Sequence, residues 1–450
     1  MNVRNFVIKI CSKRALYGAL ILLIVITCAV TIRRTAKGSN DFDTFYAAGR
    51  AVLSGRGIYY TGDFYQNAGG LSPFLYPPFA ACFFALWAFL PKLLAAACWN
   101  IFSILLFLLG IRLMHQRWLK ASLPRSPNEW TSPQWRAFFL CAVMGLVLLM
   151  DNLTMAQMNI TVFFVTLASF LLWRKGCHVW SGIVLSAAMM LKVVPALFIF
   201  FYAVKRQWRV LWGCFAGLVI FGLVVTALVF GLDKTRLYYR QWLGRTVKPM
   251  VIQFYSEVPK KMRHPLQKSV AEIKYSRLAD LLNKQNQSLP AVLSRLFLKD
   301  RNQYARDTAF PIYAARKYEK MPVLFGGLPY GALQLAIRLV QALLLLLMLS
   351  GISRASDGSV SGRIAWEWCF VFLSIPFFSP FFRSHQFVFL MAPYLLTLRD
   401  TRFFRYFLIV LLVYCMQMLP YGKAAGFGLW ANMLLWLHVF LRLSKKGELA

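Results

Sequence analysis

Residues 15–50 decide the fold of this chain: the apolar run ALYGALILLIVITCAVTI covers residues 15–32, and the segment NDFDTFYAAGR follows at residues 40–50. The run is long enough to cross a lipid bilayer as one helix, which takes about 20 apolar residues. The segment places two carboxylates, Asp41 and Asp43, a few residues beyond the end of the run. The sequence therefore predicts acidic side chains at a membrane surface.

The composition extends this prediction to the whole chain. Of its 450 residues, 59% are hydrophobic and 15% are charged, whereas soluble domains are about 45–50% apolar. The formal net charge of +35, from 51 Lys and Arg against 16 Asp and Glu, suits a protein whose basic residues flank membrane helices and meet anionic lipid headgroups. Membrane lipids are therefore expected partners. Nucleic acid is not, because no nucleic-acid-binding motif accompanies the charge.

The cysteines and the N-terminus add two expectations. None of the nine cysteines forms a CxxC pair and most lie in apolar runs, so we expect neither a disulfide framework nor a metal site of zinc-type spacing. Arg4, Lys9, Lys13 and Arg14 precede the first apolar run, and no small-residue cleavage site follows it. This pattern predicts an uncleaved signal anchor.

Apolar runs recur along the chain, and we interpret them as about twelve transmembrane helices with both chain ends in the cytoplasm. The predicted fold class is therefore an all-α polytopic membrane protein. Several runs are shorter than a full span, which indicates helices that border a cavity. The runs lie at 15–32, 93–113, 137–150, 158–173, 179–191, 193–204, 209–231, 331–350, 365–380, 385–398, 404–420 and 425–443.

One further apolar run, residues 74–90, leaves two topologies open. If it spans the membrane, several short basic loops lie outside; if it is re-entrant or interfacial, all of them become cytoplasmic, as the positive-inside rule favours. Tyr76-Pro77-Pro78 at its start also disfavours a simple span, because proline interrupts helical hydrogen bonding. We adopt the re-entrant or interfacial alternative.

This topology divides the chain into three parts. Residues 1–231 form a transmembrane module whose first external loop, 33–92, carries interfacial helices. Residues 232–330 form a long basic external loop, and residues 331–450 form a C-terminal transmembrane module. The basic loop suits an acidic partner such as a lipid phosphate, and a solvated cap is the alternative.

The first candidate for chemistry is Asp41. Phe42, Phe45 and the apolar residues after them follow helical spacing, which predicts a short amphipathic helix in the membrane interface. An acid in its first turn is also ordinary helix chemistry, because it complements the helix dipole. Away from the long loop, the predicted outer face holds few carboxylates that can serve as a base: Asp41, Asp43, Asp63 and Asp151.

Three further features lie on the predicted outer face. The polar segment 151–159 contains amides that can bind sugar hydroxyls, or it is a simple polar turn. Lys192 interrupts an apolar stretch, where an ionisable residue usually faces a cavity or a partner; it binds a phosphate or it snorkels to the interface. Arg383 can bind a phosphate, and His385 can assist proton movement or be structural.

Six groups of residues resemble, in order, motifs of the polyprenol-phosphate-mannose-dependent mannosyltransferases, glycosyltransferase family 87 of the GT-C superfamily. Ala156 and Gln386 stand where the family pattern has a glycine and a second histidine, and Arg383 stands at an aromatic position. The groups are Asp41-Phe42 with Phe45-Tyr46 and Ala48-Gly49, then Tyr76-Pro77-Pro78, Gln157-x-Asn159, Lys192-x-x-Pro195, Asn286-Gln287-Ser288, and Ser379-Pro380 with His385.

The resemblance implies a GT-C membrane fold and inverting transfer of a hexose, most often mannose, from a polyprenyl-phosphate sugar to a glycolipid or glycan. Asp41 is then the base, assisted by His385, and Lys192 and Arg383 bind the donor phosphate. The residues expected to bind sugar or acceptor are Tyr46, Tyr76, Asp151, Gln157, Asn159, Asn286 and Gln287.

The same resemblance implies that no metal or other cofactor is needed, because the departing phosphate already carries its charge. The expected location is the bacterial inner membrane, with the active site facing the periplasm. A non-enzymatic lipid or glycan flippase is the alternative function, and it requires a polar path across the bilayer.

Overall fold

The computed structural model describes residues 13–37, 41–59, 74–114, 149–247, 286–299, 327–352, 361–379, 382–397, 401–416, 419 and 422–444. The predictions made for Asp63, for most of the apolar run 137–150 and for most of the loop 232–330 lie outside these residues. Within them the chain is helical, with two isolated β-bridges and no strand.

The helices follow the predicted apolar runs closely wherever those runs are described. Short 3-10 turns at Val194–Leu197 and Ser384–Leu390 break two of the runs. In chain order the α-helices are α1 (Lys13–Ala36), α2 (Phe42–Leu53), α3 (Pro78–Ala88), α4 (Lys92–Met114), α5 (Asn159–Arg174), α6 (His178–Leu191), α7 (Phe198–Val204), α8 (Trp208–Phe230, with a π turn inside it), α9 (Leu232–Trp242), α10 (Leu289–Phe297), α11 (Tyr330–Gly351), α12 (Ser361–Phe378), α13 (Met391–Thr397), α14 (Thr401–Cys415), α15 (Gly422–Ala425) and α16 (Phe427–Ser444).

The described helices fall short of the twelve spans predicted from the sequence. By length and composition, four segments can each cross a membrane: Lys92–Met114, Trp208–Phe230, Gly331–Gly351 and Phe427–Ser444. Others, such as α5 with 16 residues and α6 with 14, reach only about 21–24 Å at 1.5 Å per residue. The count of twelve therefore stays a prediction.

Helix α3 bears on the two topologies left open for residues 74–90. Pro77 is its N-cap and Pro78 its first residue, where proline is favoured because the missing N–H is not needed. The helix has 11 residues, or about 16 Å, against a hydrocarbon core of about 30 Å. It is too short to cross the bilayer alone, in keeping with a re-entrant or interfacial segment.

The chain divides into two compact units. The first comprises Met1–Pro195, Arg209–Thr235 and Tyr394–Phe404, and the second comprises Ala196–Trp208, Arg236–Pro393 and Arg405–Ala450. In the first unit α1 packs on α4, α2 on α3 and α5 on α6.

The amphipathic face predicted for α2 is buried against α3. Phe42 and Phe45 are buried, and the ring of Phe45 stacks on that of Phe84 with a centroid distance of 4.6 Å. Arg50 and Leu53 lie on the exposed side. This packing fixes the direction of α2 and thereby the position of Asp41 at its start.

In the second unit α12 packs on α16, where Phe370 stacks on Trp436 with a centroid distance of 4.9 Å. A buried charged group lies on α7 and α12. Glu367 forms ion pairs with Lys205 at 2.5 Å and with Arg363 at 3.0 Å. The side chains of Lys205 and Glu367 are fully buried, and their ion pair connects the residue after α7 to α12.

Candidate active site

Asp41 lies at the N-cap of α2, but its side chain does not cap the helix. Instead its Oδ2 accepts a hydrogen bond from Gln157 Nε2. Its backbone N–H donates to Met155 O at 3.2 Å. Asp41 is therefore held from two sides by the segment 155–157, which is far from it in sequence.

Asp43 has a different partner. Its fully buried side chain pairs with Lys92 Nζ at 2.7 Å, and the same ammonium donates to Thr35 O at 3.3 Å. The two carboxylates of the opening segment thus point to different neighbours, as their two-residue separation predicts. Asp43 joins the start of α4 to α2.

Lys192 lies at the break between α6 and the following 3-10 turn, in extended conformation with φ −155° and ψ 127°. Its Nζ donates to Asn159 Oδ1 at 2.5 Å. The ammonium also lies 5.9 Å from the centroid of the Tyr76 ring, within the range of a cation–π contact. Helix α6 thus ends at Leu191, directly before the lysine that interrupts the apolar stretch of the sequence.

The segment Gln157-Met158-Asn159 contacts both Asp41, the candidate base, and Lys192, the residue expected to bind the donor phosphate. Gln157 and Asn159 are 4% and 0% exposed; the first donates to Asp41 and the second accepts from Lys192. Two residues of extended chain span at most about 7 Å. The structure therefore gathers an anion, a cation and two amides in one part of the first unit.

The backbone before Gln157 turns sharply. The N–H groups of Met155, Ala156 and Gln157 donate to carbonyls three to five residues earlier. Ala156 has φ +49°, which is a left-handed conformation. A glycine, as in the motif that this segment resembles, would adopt the same conformation at lower cost.

Asp151 lies in the helical turn 149–154, at the start of this reversal. Its carbonyl accepts from Met155 N at 3.2 Å. Its Oδ2 is buried and has no hydrogen-bond partner among the described residues. The role predicted for Asp151 in sugar or acceptor binding stays a prediction.

The two predicted tyrosines border the same region. The Tyr46 hydroxyl donates to Leu90 O at 2.9 Å, which joins α2 to the turn after α3. The Tyr76 carbonyl accepts from the Tyr59 hydroxyl, and its ring lies 5.2 Å from that of Phe45. Both tyrosines therefore also contribute to the packing of α2 and α3, and their binding roles stay predictions.

In the second unit, the predicted residues Asn286 and Gln287 hold the segment 382–383. Asn286 Oδ1 accepts from Phe382 N at 3.0 Å, Gln287 N donates to Phe382 O at 2.6 Å, and Asn286 forms a β-bridge with Arg383. The Gln287 amide donates to Lys423 O at 2.8 Å. These amides order the backbone next to Arg383 and His385.

The turn that carries Arg383 and His385 is closed by Gln386. Its Oε1 accepts from Arg383 N at 3.0 Å, and its own N–H donates to Arg383 O at 2.8 Å. His385 is 6% exposed within this turn. The glutamine that replaces the second histidine of the family pattern thus has a structural role, and the roles of Arg383 and His385 stay predictions.

Sequence reasoning missed three residues of the first unit that contact the reversal before Gln157. Thr31 and Arg34 on α1 and Trp99 on α4 donate to carbonyls of residues 153, 154 and 156. The sequence did contain one signal for Thr31: threonines recur every four residues on α1, at Thr27, Thr31 and Thr35. This spacing places them on one face of the helix, and all three are buried. No local signal marks Trp99.

Comparison with known proteins bears directly on this arrangement. The family model of glycosyltransferase family 87 matches residues 74–305, slightly more than half of the chain. The region includes Tyr76, Gln157, Asn159, Lys192 and the Asn286-Gln287 pair. No solved structure matches the chain.

Two curated relatives are both named polyprenol-phosphate-mannose-dependent alpha-(1-2)-phosphatidylinositol mannoside mannosyltransferase. The one from Mycolicibacterium smegmatis is 29% identical over 197 residues, which cover 42% of this chain and 44% of the relative. The one from Mycobacterium tuberculosis is 25% identical over 176 residues, or 38% of this chain and 40% of the relative. The match thus spans less than half the length of each relative.

The apolar helices and the family together indicate an integral membrane protein. Three of the motifs recognised in the sequence contain Asp41, Gln157, Asn159 and Lys192, which hydrogen bonds join in pairs, and the family match covers three of these four residues. The chain belongs to glycosyltransferase family 87.

Proposed function

We propose that the protein is an inverting glycosyltransferase that moves a hexose from a polyprenyl-phosphate sugar to a hydroxyl of a glycolipid. The observation that carries this proposal is the contact of Asp41 and Lys192 with amides two positions apart, Gln157 and Asn159. Such an arrangement offers a base and a phosphate-binding cation to one small substrate region.

In the proposed reaction, Asp41 takes the proton of the acceptor hydroxyl as its oxygen bonds to the anomeric carbon of the donor sugar. The bond between that carbon and the phosphate oxygen breaks on the opposite face, and the electron pair leaves with the polyprenyl phosphate. Lys192 stabilises the charge of the departing phosphate. Gln157 orients the Asp41 carboxylate by donating to one oxygen.

The names of the relatives support mannose as the sugar and a phosphatidylinositol-type glycolipid as the acceptor. We extend both to this chain as part of the proposal. We also propose that the reaction needs no metal, since the leaving group departs as a phosphate ester anion, and that the site faces the outer side of the membrane.

The test is Asp41→Asn in proteoliposomes supplied with polyprenyl-phosphate mannose and phosphatidylinositol mannoside in EDTA. Asparagine keeps an oxygen that can accept from Gln157 but cannot take a proton. We expect consumption of the donor to fall by about 10²–10⁴, the usual contribution of a general base. The measurement is the conversion of lipid-linked mannose, followed by mass spectrometry.

Asp233→Asn is the matched control, because Asp233 is an exposed acid in the first turn of α9. It should leave the rate unchanged. If the Asp41→Asn variant transfers the sugar at the rate of the unmodified chain, Asp41 is not the base. Passage of lipid across the bilayer without loss of the sugar from its donor would favour a flippase instead.

A further inference from the structure

Four consecutive carbonyls of the reversal before Gln157 each accept a hydrogen bond from a different donor. We call residues 153–157 the site turn. The donors lie on α1, at the start of α2 and on α4, so three parts of the first unit meet the same four peptide groups. The bonds are Thr31 Oγ1 to Leu153 O at 3.0 Å, Arg34 Nη1 to Thr154 O at 3.3 Å, Asp41 N to Met155 O at 3.2 Å, and Trp99 Nε1 to Ala156 O at 3.0 Å.

These bonds support a backbone that is not at its lowest energy. The left-handed conformation of Ala156 is unfavourable for a residue with a Cβ, and a buried hydrogen bond to its carbonyl offsets part of that cost. The Trp99 indole donates to the carbonyl of that same residue. Trp99 therefore stabilises the bend that points Gln157 at Asp41.

The donors themselves are held firmly. Trp99 is fully buried, and its ring lies 5.0 Å from that of Phe84 and 5.4 Å from that of Trp87. The Thr31 hydroxyl accepts from Asn100 Nδ2 at 2.8 Å while it donates to Leu153 O. A chain of bonds thus runs from α4 through α1 to the site turn.

We infer that Trp99 and Thr31 are positioning residues, which hold the site turn so that Gln157 orients the Asp41 carboxylate. Neither contacts the reacting atoms. The inference rests on the proposed function for its catalytic consequence, whereas the mechanical part, that these residues hold the site turn, stands on the hydrogen bonds alone.

The test uses Trp99→Phe, which keeps an aromatic ring but removes the N–H donor together with part of the ring volume, and Thr31→Val, which removes the hydroxyl at similar volume. We expect kcat for donor consumption to fall by about tenfold or more, since displacements of the order of 1 Å cost up to about 10² in rate. The KM for the donor should stay within about twofold, because the substitutions leave unchanged the contacts that bind the donor equally in the ground state and in the transition state.

Trp436→Phe is the matched control. Trp436 is 2% exposed, and its Nε1 donates to Ser374 Oγ at 2.8 Å in the second unit, so the substitution removes a comparable bond elsewhere. Its kcat per folded protein should equal that of the unmodified chain. In the background of Gln157→Ala, the effect of Trp99→Phe should shrink, because residues that act through one another are non-additive.

Hydrogen–deuterium exchange of a peptide covering the site turn gives a readout that does not depend on activity. Exchange should rise in Trp99→Phe and Thr31→Val and stay unchanged in Trp436→Phe. Unchanged exchange together with a kcat equal to that of Trp436→Phe would overturn the inference. If the unmodified chain transfers no sugar, the proposed function falls, and the exchange result alone decides whether Trp99 and Thr31 hold the turn.

Discussion

Asp41 and Lys192 show how neutral side chains can order a charged site. An amide both donates through its nitrogen and accepts through its oxygen, so Gln157 can bind the anion while Asn159 binds the cation. Neither amide introduces an additional charge that would compete with the phosphorylated donor of the proposed reaction. The two amides also restrict the rotamers of the charged groups, which preorganises them for electrostatic stabilisation.

Replacement of Lys192 by glutamine should lower kcat/KM for the lipid-linked donor by about 100-fold or more, the typical cost of losing one group that stabilises developing charge. Glutamine can still donate to Asn159, so the decrease in kcat/KM measures the effect of removing the positive charge of Lys192. Lys192→Arg keeps the charge and should retain more activity. The measurement is donor consumption at varied donor concentration, and equal rates for Lys192→Gln and the unmodified chain would exclude a role in phosphate binding.

At the scale of elements, the site depends on close packing between α2 and α3. Gly49 on α2 faces the backbone of α3 so closely that an added Cβ would lie 2.6 Å from Phe84 O. The stacked rings of Phe45 and Phe84 extend the same contact. Since Asp41 begins α2 and Tyr76 precedes α3, this interface sets the relative position of both.

Gly49→Ala should therefore destabilise the protein, because the two backbones must separate to admit the methyl group. Gly110→Ala on α4 is the control: its added Cβ would meet only side-chain atoms at 3.7 Å or more, and alanine is favoured over glycine in a helix by about 1 kcal/mol. The measurement is the thermal midpoint in detergent. A midpoint for Gly49→Ala at or above that for Gly110→Ala would contradict the proposed role of this packing.

At the scale of the whole molecule, the exposed surface of the long helices is apolar. On α11, Leu335, Leu339, Leu343 and Leu346 are more than half exposed and lie on one side at helical spacing. Such a stripe suits contact with lipid chains. Short basic segments such as Arg174-Lys175 separate the apolar segments, and the positive-inside rule predicts that they face the cytoplasm.

The predicted orientation can be tested with Cys177, an exposed thiol next to that basic turn. A membrane-impermeant maleimide should label it only after the cells are permeabilised, because the turn between α5 and α6 is predicted to face the cytoplasm. The variant Cys177→Ser lacks this thiol, so the labelling that it loses is the labelling of Cys177. Ser54→Cys at the exposed end of α2 should instead be labelled in intact spheroplasts, and labelling of Cys177 there would reverse the topology.

Much of the helical structure and the family could be predicted from the chain itself, and the roles of the candidate site residues stay predictions. Hydrophobic periodicity is a local property, so amphipathic spacing predicted α2, and the apolar runs predicted α4 and the helices on either side of Lys192. The motif order indicated the family, which the family model confirms. The number of membrane spans could not be settled in this way, because run length alone does not distinguish a full span from a short helix covered by protein.

What the tertiary structure decided was which residues are partners. Gln157 lies 116 residues from Asp41, and Asn159 lies 33 residues from Lys192; no local pattern encodes contacts over such distances. The motif resemblance had already favoured Asp41 over Asp43 as the base, and the structure adds that the two carboxylates have different partners, Gln157 and Lys92. The sequence by itself determined the helices and the family, because these follow from local apolar spacing and motif order. The folded chain determined the site, because hydrogen bonds and ion pairs form between side chains that packing brings within about 3 Å.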